Sequence, residues 1–94
     1  MKQHIGDGKW FDVETAEHWQ EATWRKGNLS RVPGSQWGHE ALYRTARGRW
    51  ILHTWSNYPK GTPETWGEIG PERAIVWLVD NEKTDAAEQY GTEV

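Results

Sequence analysis

The groups in this chain that could hold a metal or move a proton are four histidines and fourteen carboxylates, with no cysteine to add a thiolate. Their spacing argues against most catalytic chemistry. His39-Glu40 runs on into Ala41, Leu42 and Tyr43, so it lacks the second histidine that places two imidazoles on one helical face of a zinc protease. Were residues 13 to 24 helical, His18 would share a face with Glu14 and Glu21. That is enough for a weak metal-dependent hydrolase and equally the pattern of a solvated acidic helix face. Ser30, Ser35 and Ser56 fall outside any G-x-S-x-G turn, and no carboxylate sits inside an apolar run that would desolvate it for acid–base work. Phosphate-cradling glycine loops are absent as well. These residues predict a non-enzymatic chain with no metal and no cofactor.

Binding chemistry is better represented. Arg44, Arg47 and Arg49 lie beside Tyr43, Trp50 and Trp55, with Arg31 and Trp37 upstream. From Arg25 to Arg49 there are six basic residues against the single acid Glu40, whereas the flanks hold five basic residues and thirteen acids, for a net charge of −3. This asymmetry suggests a basic face on an acidic body. Trp, Tyr and Arg dominate interface hot spots, so the expected partner is a protein with an acidic surface, including a second copy of this chain. A two-stranded ribbon carrying arginines and aromatic rings also suits nucleic acid, although phosphate contacts must then supply most of the affinity from a chain that is acidic overall. An intramolecular cation–π contact between Arg44 and Trp50, simple solvation of the charges, and carbohydrate stacking on exposed indoles are the remaining readings.

The element presenting these groups is a β-hairpin over residues 40 to 55. Thr45-Ala46-Arg47-Gly48 fits a type I turn followed by a left-handed glycine, and Gly48 then sets the register. Thr45 falls opposite Arg49, Arg44 opposite Trp50, Tyr43 opposite Ile51, Leu42 opposite Leu52 and Ala41 opposite His53. One face carries Leu42, Leu52, Arg44 and Trp50, and the other Tyr43, Ile51, His53 and Trp55. A ribbon with two apolar faces is marginal in water, so at least one face must be covered, by a helix above all.

Around the hairpin, Gly8-Lys9-Trp10-Phe11 reads as a short strand. Asp12 can cap a helix in which Val13, Ala16, Trp19 and Thr23 recur at near-helical spacing, although the β preference of Val13 and Thr15 allows residues 13 to 24 to extend the strand instead. Residues 56 to 70 carry too many prolines and glycines for a central strand, with Thr65-Trp66 as a pin to the core. Pro71 and Glu72 open a helix to about Asn81 that carries the apolar set Ala74, Ile75, Trp77 and Leu78. Asp85 and Glu88 resemble a capping box for a last turn or two up to Tyr90, followed by a frayed tail.

Ninety-four residues predict a single domain, with an ordered core at about residues 8 to 82. Apolar residues make up only 35% of the chain, but eight are tryptophan, and each buried indole removes roughly 150–250 Å² from water. Trp10, Trp19, Trp50 and Trp77 are the expected core members, rather than Trp37, Trp55 and Trp66. With no cysteine and no long apolar span, a cytoplasmic protein that avoids membranes is the default expectation.

Trp-Phe-Asp-Val-Glu-Thr-Ala (residues 10–16), Glu-Ala-Leu-Tyr-Arg-Thr-Ala-Arg-Gly-Arg-Trp-Ile-Leu-His (40–53) and Pro-Glu-Arg-Ala-Ile-Val-Trp-Leu (71–78) resemble, in that order, a family of small uncharacterised prokaryotic and phage or plasmid proteins. That family shares the pattern DTETA, LYRT-x-x-G-x-[FY]-F-L and EEA-x-x-W-L. The resemblance implies a domain without an assigned activity, and this chain departs from it at His53-Thr54-Trp55, where relatives run into glycines. The expected fold is α+β: a small antiparallel sheet of two to four strands around the 40–55 hairpin, with one or two helices on one face.

Overall fold

The turn at Gly48 organises the sheet. Gly48 has φ +82°, its N–H donates to Thr45 O at 2.8 Å, and Thr45 N–H donates to Arg49 O at 2.8 Å. The computed structural model describes residues 1–22, 38–56 and 64–93. In it this turn joins two antiparallel strands in the register the turn chemistry predicts, with Arg44 opposite Trp50 and Leu42 opposite Leu52.

In chain order the strands are β1 (Lys2–Gly6), β2 (Lys9–Asp12), β3 (Glu17–Gln20), β4 (Gly38–Arg44), β5 (Trp50–Ser56) and β6 (Thr65–Ile69). The helices α1 (Pro71–Asp80) and α2 (Thr84–Tyr90) follow. β3-β4-β5-β6 form a four-stranded antiparallel sheet, and β1-β2 form a separate hairpin. The architecture is α+β.

α1 and α2 cover one face of the sheet. Leu42, Trp50 and Leu52 from the strands pack with Ala74, Trp77 and Leu78 of α1 and with Ala86 and Ala87 of α2; Trp19 and Ile69 close the sides. Pro71 occupies the first turn of α1 as expected, and the apolar positions of α1 recur at i, i+3 and i+4, which makes a single stripe. Asn81 ends that helix and ties it to the segment before β4: its amide donates to Trp77 O at 2.9 Å and its carbonyl accepts from Ala22 N–H at 3.0 Å.

The β1-β2 hairpin folds over the opposite face. It turns through Asp7 (φ 54°) and Gly8 (φ 74°), the pair of left-handed residues that a type I′ turn needs. Phe11, only 5% exposed, reaches down to Tyr43 and Trp66 with ring centroids 5.6 and 5.9 Å away. Ile51 is buried on the same face.

Four expectations are corrected. Asp12 does accept a hydrogen bond, from Glu14 N–H at 2.9 Å, but it caps only a 3₁₀ turn at Val13–Thr15, after which the chain extends as β3. A four-residue edge strand is too short for periodicity to separate from a helix, and pairing with β4 decides it. Asp85 is no cap: it lies inside the first turn of α2, with Lys83 at the cap position and no side-chain cap bond. The ordered elements run from Lys2 to Tyr90, beyond the expected core, because β1 pairs with β2 and α2 buries two alanines. Trp10 is 52% exposed and lies outside the core.

Candidate binding site

The three arginines at the hairpin end separate by face. Arg44, on the helix side, lies over the Tyr90 ring at 4.4 Å and the Trp50 ring at 5.8 Å, with Glu17 3.9 Å away. The Tyr90 hydroxyl donates to that same Glu17, which pushes the phenol above its ordinary pKa. Arg44 is thus taken up within the fold. Arg49 bonds through Nε to Glu68 Oε2 at 2.5 Å, while Lys9 Nζ sits 3.4 Å from the other carboxylate oxygen. The Arg49 guanidinium first, and Lys9 after it, hold the Glu68 carboxyl below the usual carboxylate range. Arg47, at the exposed tip, makes no hydrogen bond or ion pair among the described residues.

Beneath this tip, between it and the β1-β2 hairpin, lies a cavity of about 540 Å³. Ile5, Phe11 and Ile51 give it an apolar floor, and Trp10, Arg47 and Arg49 stand at its margins. Its size falls in the range of small-ligand and side-chain pockets, roughly 300–1,000 Å³. Lys9, Asp12 and Glu68 line the cavity as well, so the charged groups around the apolar floor are three cations and two carboxylates, and among the described residues Arg47 is the cation of this set without an ion pair. The backbone of the tip is fixed on this side by Arg49 N–H donating to Thr45 Oγ1 at 3.1 Å.

Farther along the same sheet face, rings stack on one another. His53 is parallel to Trp66, with centroids 3.7 Å apart and 9° between planes, and its other side meets Trp55 at 4.4 Å. His39 continues the stack on Trp55 at 5.6 Å, and His18 stacks on Tyr43 at 5.5 Å. His39 Nδ1 pairs with Glu21 at 2.5 Å and His53 Nε2 with Glu64 at 2.8 Å. His53 holds the Glu64 carboxyl below its ordinary range, helped by the nearby Trp66 indole. The Trp66 Nε1 itself is buried and reaches no partner with hydrogen-bond geometry among the described residues. Burial raises the Tyr43 phenol, with Glu64 adding to the effect. Because the His53 ring is covered on both sides, this array behaves as a second small core and offers little free π-surface for a stacked base or sugar.

Of the sequence-predicted binding residues, Arg47 and Arg49 come together at the cavity. Trp50, 5% exposed, is a core residue of the helix side, which corrects its placement on a docking surface. Arg44 lies with it on that side, and Trp55 belongs to the ring stack. Arg31 and Trp37 lie outside the described residues, as do Arg25 and Lys26 of the basic run. His18, Glu14 and Glu21 share no helical face, because Glu14 is in the 3₁₀ turn and His18 in β3; among the described residues no cluster of three or more metal-capable side chains occurs. The sequence reading missed Trp10, Phe11 and Lys9 as site residues. The signal was there in Asp7-Gly8, which marks a hairpin that must fold back onto something.

Comparison with protein-family models, with curated proteins and with solved structures finds no match, so the likeness drawn from the three motifs rests on those motifs alone. Among the described residues no helix is long and apolar enough to cross a membrane.

Proposed function

We propose that this chain is a non-enzymatic binding module that docks an acidic segment of a partner protein in the cavity between its two hairpins. The observation that carries the reading is an unengaged guanidinium, Arg47, at the mouth of an apolar cavity bordered by a half-exposed indole, Trp10. An apolar side chain of the partner fills the floor over Phe11 and Ile51, and a neighbouring carboxylate meets Arg47. Arg49 is available to the same carboxylate, since its exposed pair with Glu68 is of little net worth. Trp and Arg at the rim of a desolvated pocket are the residue types that concentrate binding energy.

Nucleic acid is less well supported on this surface. Each phosphate contact contributes about 0.9 to the slope of log affinity against log salt, and useful affinity takes several. Of the three described hairpin arginines, Arg44 is taken up within the fold, which leaves Arg47 and Arg49 to reach phosphates.

The test is selection of displayed random peptides on the full chain, then titration of the enriched peptide against wild type, Arg47→Glu and Trp10→Ala, with a single-stranded oligonucleotide in parallel. The reading expects an acid adjacent to a large apolar residue in the enriched peptides and a loss of about tenfold or more in each variant. Enrichment of basic peptides, binding indifferent to Arg47→Glu, or salt-sensitive oligonucleotide binding that Arg47→Glu abolishes would each overturn it.

A further inference from the structure

We infer that the partner segment binds as an added β-strand along the outer edge of β2, an inference that rests on the docking reading above. β2 pairs with β1 on one side, and among the described residues no strand occupies its other side. Every residue of β2, from Lys9 to Asp12, borders the cavity. Thr45, Ala46 and Arg47 of the β4-β5 turn line the same cavity, so the strand and the hairpin tip flank one space.

That edge is short and bounded. At one end the Asp12 carbonyl already accepts from the Thr15 hydroxyl at 3.3 Å. At the other end the chain turns at Gly8. Between them, no backbone bond outside the β1-β2 ladder involves Lys9, Trp10 or Phe11 among the described residues. A peptide strand here would lie about 4.8 Å from β2. One of its side-chain rows would face the floor formed by Phe11 and Ile51, and the hairpin tip carrying Arg47 would stand on its far side. Main-chain bonds then give affinity and the alternate side chains give specificity, the mode by which extended peptides augment sheet edges. The charge at the tip selects an acidic strand. The outer edge of β3 is also open among the described residues, but Trp19 and His18 there are packed on Trp50 and Tyr43.

The experiment takes the best peptide from the selection and compares its affinity with that of analogues N-methylated at one position at a time, while the amides of the isotope-labelled full chain are followed by NMR. Strand addition expects losses of about tenfold at alternate peptide positions and none between, because only every other amide of an added strand faces β2. It also expects cross-strand contacts between the peptide and Trp10 or Phe11 backbone protons. A peptide whose binding is lost in Arg47→Glu but which tolerates N-methylation throughout, or shows no contact to β2, overturns strand addition and leaves the docking reading in place. A selection that yields no Arg47-dependent binder overturns both.

Discussion

Replacing Phe11 by alanine is expected to detach the β1-β2 hairpin without unfolding the remainder of the molecule. An isolated two-stranded ribbon is marginal in water, so this hairpin depends on what it docks against. Phe11 is its buried ring, set between Tyr43 and Trp66. Burying an aromatic ring removes roughly 150–250 Å² from water, worth about 4–6 kcal/mol at 25 cal/mol per Å² as an upper bound. Truncation to alanine keeps the Cβ, and measured losses at such sites are about 3–5 kcal/mol. The four-stranded sheet and helices retain their own core of Leu42, Trp50, Leu52, Ala74, Trp77 and Leu78, a cluster to which Phe11 does not belong. The loss should therefore fall on local opening. Native-state amide exchange is the assay: amides of Lys2 to Asp12 should exchange roughly two to four orders of magnitude faster, while those of β4, β5 and α1 change little. Peptide binding at the cavity should vanish together with the hairpin. Protection of the Lys2–Asp12 amides within about tenfold of wild type would refute the assignment of Phe11 as the anchor.

Gly48→Ala should destabilise by about 1–2 kcal/mol in urea titration, because the left-handed φ of +82° disfavours a side chain and the new Cβ would approach Arg44 Nη2 to 3.2 Å; an unchanged midpoint would remove the glycine from its role in setting register. Asn81→Ala removes both hydrogen bonds of a buried side chain and leaves the Ala22 N–H without its acceptor, so a loss of about 2–3 kcal/mol is expected by thermal or chemical denaturation, against under about 0.5 kcal/mol for Asp85→Ala, which caps nothing. Asp12, Glu64 and Glu68 all have depressed carboxyl pKa values in the fold, from backbone, imidazole and guanidinium partners respectively. Their stabilising effect is complete above the unfolded carboxylate pKa, about 4, and is lost as pH falls through the lower folded values, so denaturation midpoints should hold steady from neutrality to about pH 5 and decline below it. Rising stability on acidification would contradict all three pairings.

Which parts of this fold were legible follows from where the deciding forces act. The β4-β5 register was readable because a left-handed glycine and two alternating strands specify it locally, and α1 because Pro71, Glu72 and the apolar set Ala74, Ile75, Trp77 and Leu78 agree. β3 was hidden: Val13, Ala16 and Trp19 fit a helical stripe as well as anything, and only the ladder to β4 excludes it. β1 gave little signal, since Lys2, Gln3 and His4 are polar and Ile5 is its single large apolar residue. For the site, register alone placed Arg44 with Trp50 and apart from Tyr43. Nothing in local sequence announced that Tyr90 and Glu17, each far along the chain, would close over that arginine.

By itself the sequence determined the hairpin, its two-sided apolar character, the helix after Pro71 and the concentration of positive charge at the turn, because these depend on backbone conformation and on the alternation of side chains over a few residues. Tertiary structure alone decided which of the three hairpin arginines stays free, that Trp10 is exposed and where a cavity opens. Those outcomes depend on contacts between segments tens of residues apart, such as Phe11 on Tyr43 and Arg49 on Glu68, whose energies no local pattern encodes.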